Sequence, residues 1–201
     1  MNKVRAAFLS ILFALAACQP QPQQPPLAGA KIGGPFTLIR QDGKPVSDRD
    51  FAGKYRMIYF GYTSCPDVCP VDMQKLIAGL RKFEKDDPAR AAKVQPIFIT
   101  VDPSRDTPAV LAQYVRAFHP RLIGLTGSES DIAAVAKSFA IYYNKEKGSA
   151  PDRYLVSHVQ MPILFDPDGK PMALFPVDDP RTDADEASVD QIVAVMDLWV
   201  K

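Results

Sequence analysis

Phe60-Gly61-Tyr62-Thr63-Ser64-Cys65-Pro66-Asp67-Val68-Cys69-Pro70 decides how this chain is read. Upstream, Tyr55 to Tyr62 is a continuous apolar and aromatic run, the signature of a buried strand. Downstream, Val71, Leu76, Ile77, Leu80 and Phe83 fit one face of a helix. Pro70 suits the first helical position, where its missing N–H costs nothing. Two thiols four positions apart therefore flank a helix start. Backbone N–H groups there favour thiolate over thiol. Thiolate is the form that binds metal or attacks a disulfide. A structural disulfide between Cys65 and Cys69 would close a tiny loop and stabilise little. Disulfide, redox dithiol and metal site remain open readings of the pair.

Working outward, Phe36 to Arg40 alternates and runs into the turn Gln41-Asp42-Gly43-Lys44, a hairpin signal. Val94 to Val101 reads as a second central strand. Asp102-Pro103-Ser104-Arg105-Asp106-Thr107-Pro108 leads from it into a helix burying Val110, Leu111, Tyr114, Val115 and Phe118. Leu122 to Leu125 is a short strand. Ser128 or Ser130 caps a helix with Ile132, Val135, Ala136 and Phe139 inward. Tyr154 to Val159 and Ile163 to Phe165 are extended, Asp166-Pro167-Asp168-Gly169 is a turn, and Met172 to Phe175 returns. Val189, Ile192, Val193, Met196 and Trp199 make the face of a closing helix. Strands alternating with helices indicate an α/β layer fold. A redox-type cysteine pair at a strand-to-helix junction narrows it to a thioredoxin-like fold, a central mixed sheet flanked by helices with an N-terminal β-hairpin extension.

The chain has 201 residues, 47% hydrophobic and 23% charged, so it supports one domain with a real core. Its formal net charge of +1 has no basic stripe, which argues against nucleic acid as a partner. Residues 1–17 read as a signal peptide: Lys3 and Arg5, then an apolar run from Ala6 to Leu15. Leu15-Ala16-Ala17-Cys18 resembles the lipobox of bacterial lipoproteins, in which the cysteine is lipidated and becomes the mature N-terminus. Cleavage would remove Lys3 and Arg5 and take the formal charge from +1 to −1. Residues 18–29 then form a Gln/Pro-rich extended tether, and residues 30–201 the domain. With Cys18 in the anchor, Cys65 and Cys69 are the remaining thiols, in a compartment that permits disulfides.

Of the two histidines, His119 precedes Pro120 at a helix end and is expected at the surface. His158 lies among apolar neighbours in Tyr154-Leu155-Val156-Ser157-His158-Val159. Alone it reads as a core histidine. With the cysteine pair it completes a soft, low-coordinate site, and soft sulfur donors select Cu(I) and accept Zn(II). Three ligands from two separate loops suit a carrier, because an open coordination position permits handover. Asp102 and Arg105 follow the second central strand near the edge where ligands bind in open α/β sheets. They are candidate charges behind the site, or a solvated capping loop. The acidic run Asp178, Asp179, Asp183, Asp185 and Glu186 reads as a solvated helix start.

The cysteine stretch, Val101-Asp102-Pro103-Ser104-Arg105-Asp106-Thr107-Pro108, Tyr114-Val115, Gly124-Leu125-Thr126-Gly127, Tyr142-Tyr143, and His158 followed by Asp166-Pro167-Asp168-Gly169 resemble the Sco/SenC family of copper-binding, thioredoxin-fold proteins. The resemblance runs from about residue 30 to about 175. It implies that Cys65, Cys69 and His158 bind copper, as Cu(I) and Cu(II). It also implies a role in assembling the binuclear copper site of cytochrome c oxidase. The partner would be the oxidase's copper-bearing subunit or another periplasmic copper chaperone. Some members resemble thiol–disulfide reductases that keep oxidase cysteines reduced, with Cys65 and Cys69 as the redox pair. The expected location is the periplasmic face of a bacterial membrane, lipid-anchored, with the inner membrane favoured over the outer. Two positions depart from the pattern. Ser157 stands where the family usually has Asp, a group that would orient the imidazole. Met161-Pro162 follows the histidine closely, as a proline does in thioredoxins, and this tilts the chain toward thiol exchange. Met161 itself is expected to pack in the core. A third reading is a peroxidase, for which Thr63 and Arg105 would flank the cysteine.

Overall fold

The computed structural model describes residues 23–148, 153–178 and 187–201. The signal peptide, Cys18, the first part of the tether and Asp179 to Glu186 of the acidic run lie outside the described residues. Among the described residues Leu27 joins the domain: its N–H bonds the Met172 carbonyl at 2.9 Å and its side chain packs on the core.

The chain opens with a hairpin, β1 (Thr37–Arg40) and β2 (Pro45–Ser47), with Gly43 at a φ of 79° in its turn. Then come β3 (Tyr55–Gly61), the long helix α1 (Val68–Asp86), the short α2 (Pro88–Ala91) and β4 (Val94–Thr100). Helix α3 (Pro108–Phe118), β5 (Ile123–Thr126) and α4 (Glu129–Ser138) follow. The last third holds β6 (Tyr143–Lys145), β7 (Val156–His158), β8 (Ile163–Phe165), β9 (Pro171–Leu174) and α5 (Val189–Trp199). Seven strands form one sheet in the order β2-β1-β5-β4-β3-β8-β9. Strands β3, β4 and β5 run parallel, and β1, β8 and β9 join antiparallel, so the sheet is mixed. Strands β6 and β7 form a separate antiparallel ribbon.

All seven residues of β3 are buried, as a strand covered on both faces must be. On one face Tyr59 meets Phe98, and Phe98 meets Tyr114 of α3. On the other, Phe60 meets Phe139, which also contacts Phe36 and Phe165. Ser128 caps α4, its hydroxyl accepting from the Asp131 N–H at 3.1 Å.

Four local expectations need correction. Helix α1 starts at Val68, so Pro70 is its third residue; the missing N–H still falls in the first turn, where no intrahelical partner exists. Val71 is exposed, because Cys69 and Met73 set the buried phase of the helix and Val71 lies roughly half a turn from each. Val110 on α3 is exposed for the same kind of reason, with Leu111 and Val115 facing inward. His119 is buried, not superficial: its ring turns back onto Glu84 of α1 at 3.3 Å, and Nδ1 accepts the Arg121 N–H at 3.2 Å. Burial pushes the His119 pKa down, against the pull of Glu84.

Candidate metal and thiol site

The parallel strands β3 and β4 end at the same edge of the sheet, and the site is built there. The chain leaves β3 at Gly61 and turns through Cys65, whose N–H bonds the Tyr62 carbonyl at 3.3 Å. It enters α1 with Asp67 at the cap and Cys69 in the first turn. Cys65 is half-buried, Cys69 is fully buried, and both are free thiols.

Asp106 fixes this turn from the side. Its buried carboxylate accepts from the Thr63 N–H at 3.0 Å, the Thr63 hydroxyl at 2.6 Å and the Thr100 hydroxyl at 2.6 Å. Strand β4 and the loop after it thereby hold the cysteine turn in place.

His158 arrives from 89 residues away in sequence. Its Nε2 lies 3.2 Å from Cys69 Sγ. Nδ1 faces the Val159 carbonyl at 3.2 Å, and a carbonyl only accepts. The ring is thus oriented with Nδ1 toward that carbonyl and Nε2 toward the sulfur. Two tyrosine rings, Tyr59 and Tyr62, meet the imidazole edge-on at 6.3 and 6.1 Å. Strand β7 carries His158, and its pairing with β6, Tyr143 opposite His158, sets which way the ring faces.

The two thiols are not equivalent. The hydrogen bond from Cys69 draws the Cys65 pKa down to about 3 despite burial, with the nearby His158 ring and the N–H groups of Asp67 and Cys69 adding to it. The same bond and deep burial push Cys69 the other way. Cys65 is thus the thiolate of the pair and Cys69 the thiol.

Asp102 and Arg105 do form an ion pair, with Asp102 fully buried. Their contacts include Tyr154 and the Tyr62 ring, which lies 5.6 Å from the Arg105 guanidinium. Asp102 accepts the Tyr154 hydroxyl at 2.7 Å, and Arg105 donates to the Tyr154 carbonyl at 2.9 Å and covers its ring at 3.8 Å. They anchor the residue that leads into β7, so they steer His158 through the backbone. Ser157 departs from its expected place. Its hydroxyl bonds Glu146 at 2.8 Å and the Asn144 carbonyl at 3.3 Å, on the opposite face of the ribbon from His158. Side chains alternate along a strand, so residue 157 faces away when 158 faces the site. Met161 packs on the core, and there are no cis peptides among the described residues, so Met161–Pro162 is trans.

Sequence reasoning missed Tyr59, Asp72, Asp106, Tyr154 and the strand β6. Asp72 was legible in principle: a carboxylate three residues after Cys69, on the buried side of a helix, is costly without a purpose. Burial raises its pKa, and Tyr59 donates to it at 2.8 Å.

A model of the SCO1/SenC family matches residues 24–194. The chain belongs to that family. A curated relative, SCO1 homolog 1 of Arabidopsis thaliana mitochondria, is 46% identical over 71% of this chain and 42% of its own length. The SCO2-like protein of Rickettsia felis is 39% identical over 76% of this chain and 77% of its own. Against the mitochondrial Arabidopsis relative, then, this Sco chain spans less than half the length. Among solved structures, Arabidopsis ScoI with copper bound superposes with a TM-score of 0.73 at 39% identity, covering 83% of this chain and 97% of that one. A family lipoprotein from Bacillus anthracis gives 0.67 at 26%, covering 92% and 100%. Two further likenesses bear on the fold alone. BsSco, described with a disulfide switch and as one of the cytochrome c oxidase assembly proteins, gives 0.61 at 24%, covering 87% and 95%. The thioredoxin domain of a Bacteroides vulgatus thiol–disulfide oxidoreductase gives 0.56 at 18%, covering 85% and 96%. The fold is thioredoxin-like.

Proposed function

We propose that this Sco protein carries copper, held by Cys65, Cys69 and His158, and delivers it toward the binuclear copper site of cytochrome c oxidase. The observation that carries the reading is the approach of His158 Nε2 to Cys69 Sγ, 3.2 Å, beside a second sulfur. Among the described residues no three His, Cys, Asp or Glu side chains are gathered closely enough to hold a metal ion. For Cys69 and His158 the shortfall is small: with metal–sulfur and metal–nitrogen bonds near 2.3 and 2.0 Å, as at zinc, the two donors would stand about 3.6 Å apart. The pair has to open by a few tenths of an ångström. Two sulfurs and one neutral imidazole are a donor set for Cu(I), and a three-ligand site leaves room for an incoming ligand. The copper-bound state of Arabidopsis ScoI, at 39% identity, supports the same cargo here. The receiving partner is the oxidase's copper-bearing subunit or another periplasmic copper chaperone. The lipobox-like Leu15-Ala16-Ala17-Cys18 supports a lipid-anchored position on the periplasmic face of a membrane; among the described residues no helix is long and apolar enough to cross one.

A second reading has its own observation. A thiolate at half-buried Cys65 and a thiol at buried Cys69 are the attacking and resolving partners of thiol–disulfide exchange. The peroxidase reading has less to rest on, because Thr63 is engaged by Asp106, and Arg105 by Asp102 and Tyr154.

An anaerobic Cu(I) titration against a competing chelator separates the two. Copper carriage predicts one tightly held ion per chain and at least about 10-fold weaker binding in His158→Ala, since a lost ligand costs more than the 10- to 100-fold typical of an outer contact. Binding indifferent to His158 would favour the reductase.

A further inference from the structure

Cys69 sits deeper than a metal ligand needs to, and three residues explain how its sulfur fits there. Gly61 ends β3 directly beneath it. A Cβ on Gly61 would lie 3.2 Å from Cys69 Sγ, 2.8 Å from Tyr59 Cε1 and 3.0 Å from Phe98 Cε2. Gly61 is not at a positive φ, so its backbone does not demand glycine. What demands it is the space that the sulfur and the tyrosine ring occupy. Tyr59, two residues back on the same face of β3, brings its ring edge to the same spot as the Cys69 sulfur. Its hydroxyl donates to Asp72 Oδ2 at 2.8 Å. With its one proton committed to Asp72, the Tyr59 hydroxyl is held in place by that carboxylate. Asp72 lies one helical turn beyond Cys69 on α1 and is 5% exposed. A carboxylate that deep is expensive unless its contacts repay it.

We propose that Gly61, Tyr59 and Asp72 form a socket that sets where the Cys69 sulfur stands beneath His158, and so sets the sulfur–imidazole spacing that copper meets. All three are positioning residues, acting through Cys69. The inference rests on the copper-carrier reading for its consequence but not for its geometry.

The test uses Tyr59→Phe, Asp72→Asn and Gly61→Ala in the otherwise intact protein, with two readouts. In the metal-free state, NMR reports the Cys69 Cβ and His158 Nε2 chemical shifts. In the Cu(II) state, the sulfur-to-copper charge-transfer band and the EPR hyperfine coupling report the sulfur's placement. Tyr59→Phe keeps the ring and the fold while removing the hydroxyl, so it remains informative if Gly61→Ala does not fold. The socket predicts that Tyr59→Phe and Asp72→Asn move both metal-free signals. It also predicts a shifted charge-transfer band and about 10-fold weaker copper binding, the lower end of the effect of losing a contact behind a ligand. Unchanged metal-free shifts in folded Tyr59→Phe and Asp72→Asn would overturn it, whatever copper does. Moved shifts in a protein that binds no copper would support the socket and refute the carrier reading instead.

Discussion

At the scale of single residues, the unequal cysteines are the feature with the sharpest consequences. Cys65 is lowered to about 3 by its contact with Cys69, so it is a thiolate throughout the ordinary range. Cys69 is raised, so it keeps its proton at neutral pH. Alkylation by iodoacetamide followed by mass spectrometry should therefore modify Cys65 at a rate nearly flat from about pH 5 to pH 8, while Cys69 reacts slowly throughout. A Cys65 rate rising tenfold per pH unit across that range would mean an ordinary thiol. In stability terms the depressed Cys65 pKa favours the folded state above the ordinary thiol range, near 9, and the benefit is lost as pH falls toward 3. Cys69 contributes in the opposite sense. The cysteines were legible in the sequence because their chemistry is local: a strand end, two thiols and a helix start in eleven residues. Tyr59 was not, because it reads as an ordinary member of a buried strand until the sulfur beside it is located. His119 misled for a related reason. A histidine before proline at a helix end looks exposed, and only the neighbouring helix, with Glu84, reveals that it is covered.

At the scale of elements, the helix and strand cores followed from periodicity, and the ribbon that carries His158 did not. Strand β6 is three residues, Tyr143 to Lys145, two of them exposed, so it has no apolar alternation to read. It exists because β7 pairs with it, and that pairing decides that residue 158 faces the sulfurs and Ser157 faces Glu146. Ser157, where the family usually has Asp, turns its hydroxyl to Glu146 and not to the imidazole. The close packing of α1 on α5 is a separate matter. A Cβ on Gly79 of α1 would overlap the Ile192 side chain of α5. Gly79→Ala should destabilise the protein by about 1–3 kcal/mol, the usual cost of overpacking. Chemical denaturation would measure this, with copper stoichiometry unchanged because Gly79 lies about 15 Å along α1 from Cys69. An unchanged denaturation midpoint would show that the helices separate freely.

At the scale of the whole molecule, a mixed sheet covered on both faces presents the ends of β3 and β4 at one edge, and everything functional hangs from that edge. The hairpin lies at one edge of the sheet, where β1 pairs with β5 and not with β3 or β4. The tether reading makes a prediction at this scale. Expressed in a bacterium with radiolabelled palmitate, the full chain should incorporate label and fractionate with membranes, and Cys18→Ser should do neither. A soluble, unlabelled wild-type protein would contradict it. The central claim is more local, that two sulfurs and one imidazole hold one copper. X-ray absorption at the copper edge of the Cu(I)-loaded protein tests it most directly. The account predicts two sulfur neighbours near 2.3 Å and one nitrogen near 2.0 Å, with the nitrogen lost in His158→Ala. A sulfur-only shell identical in wild type and His158→Ala would contradict it.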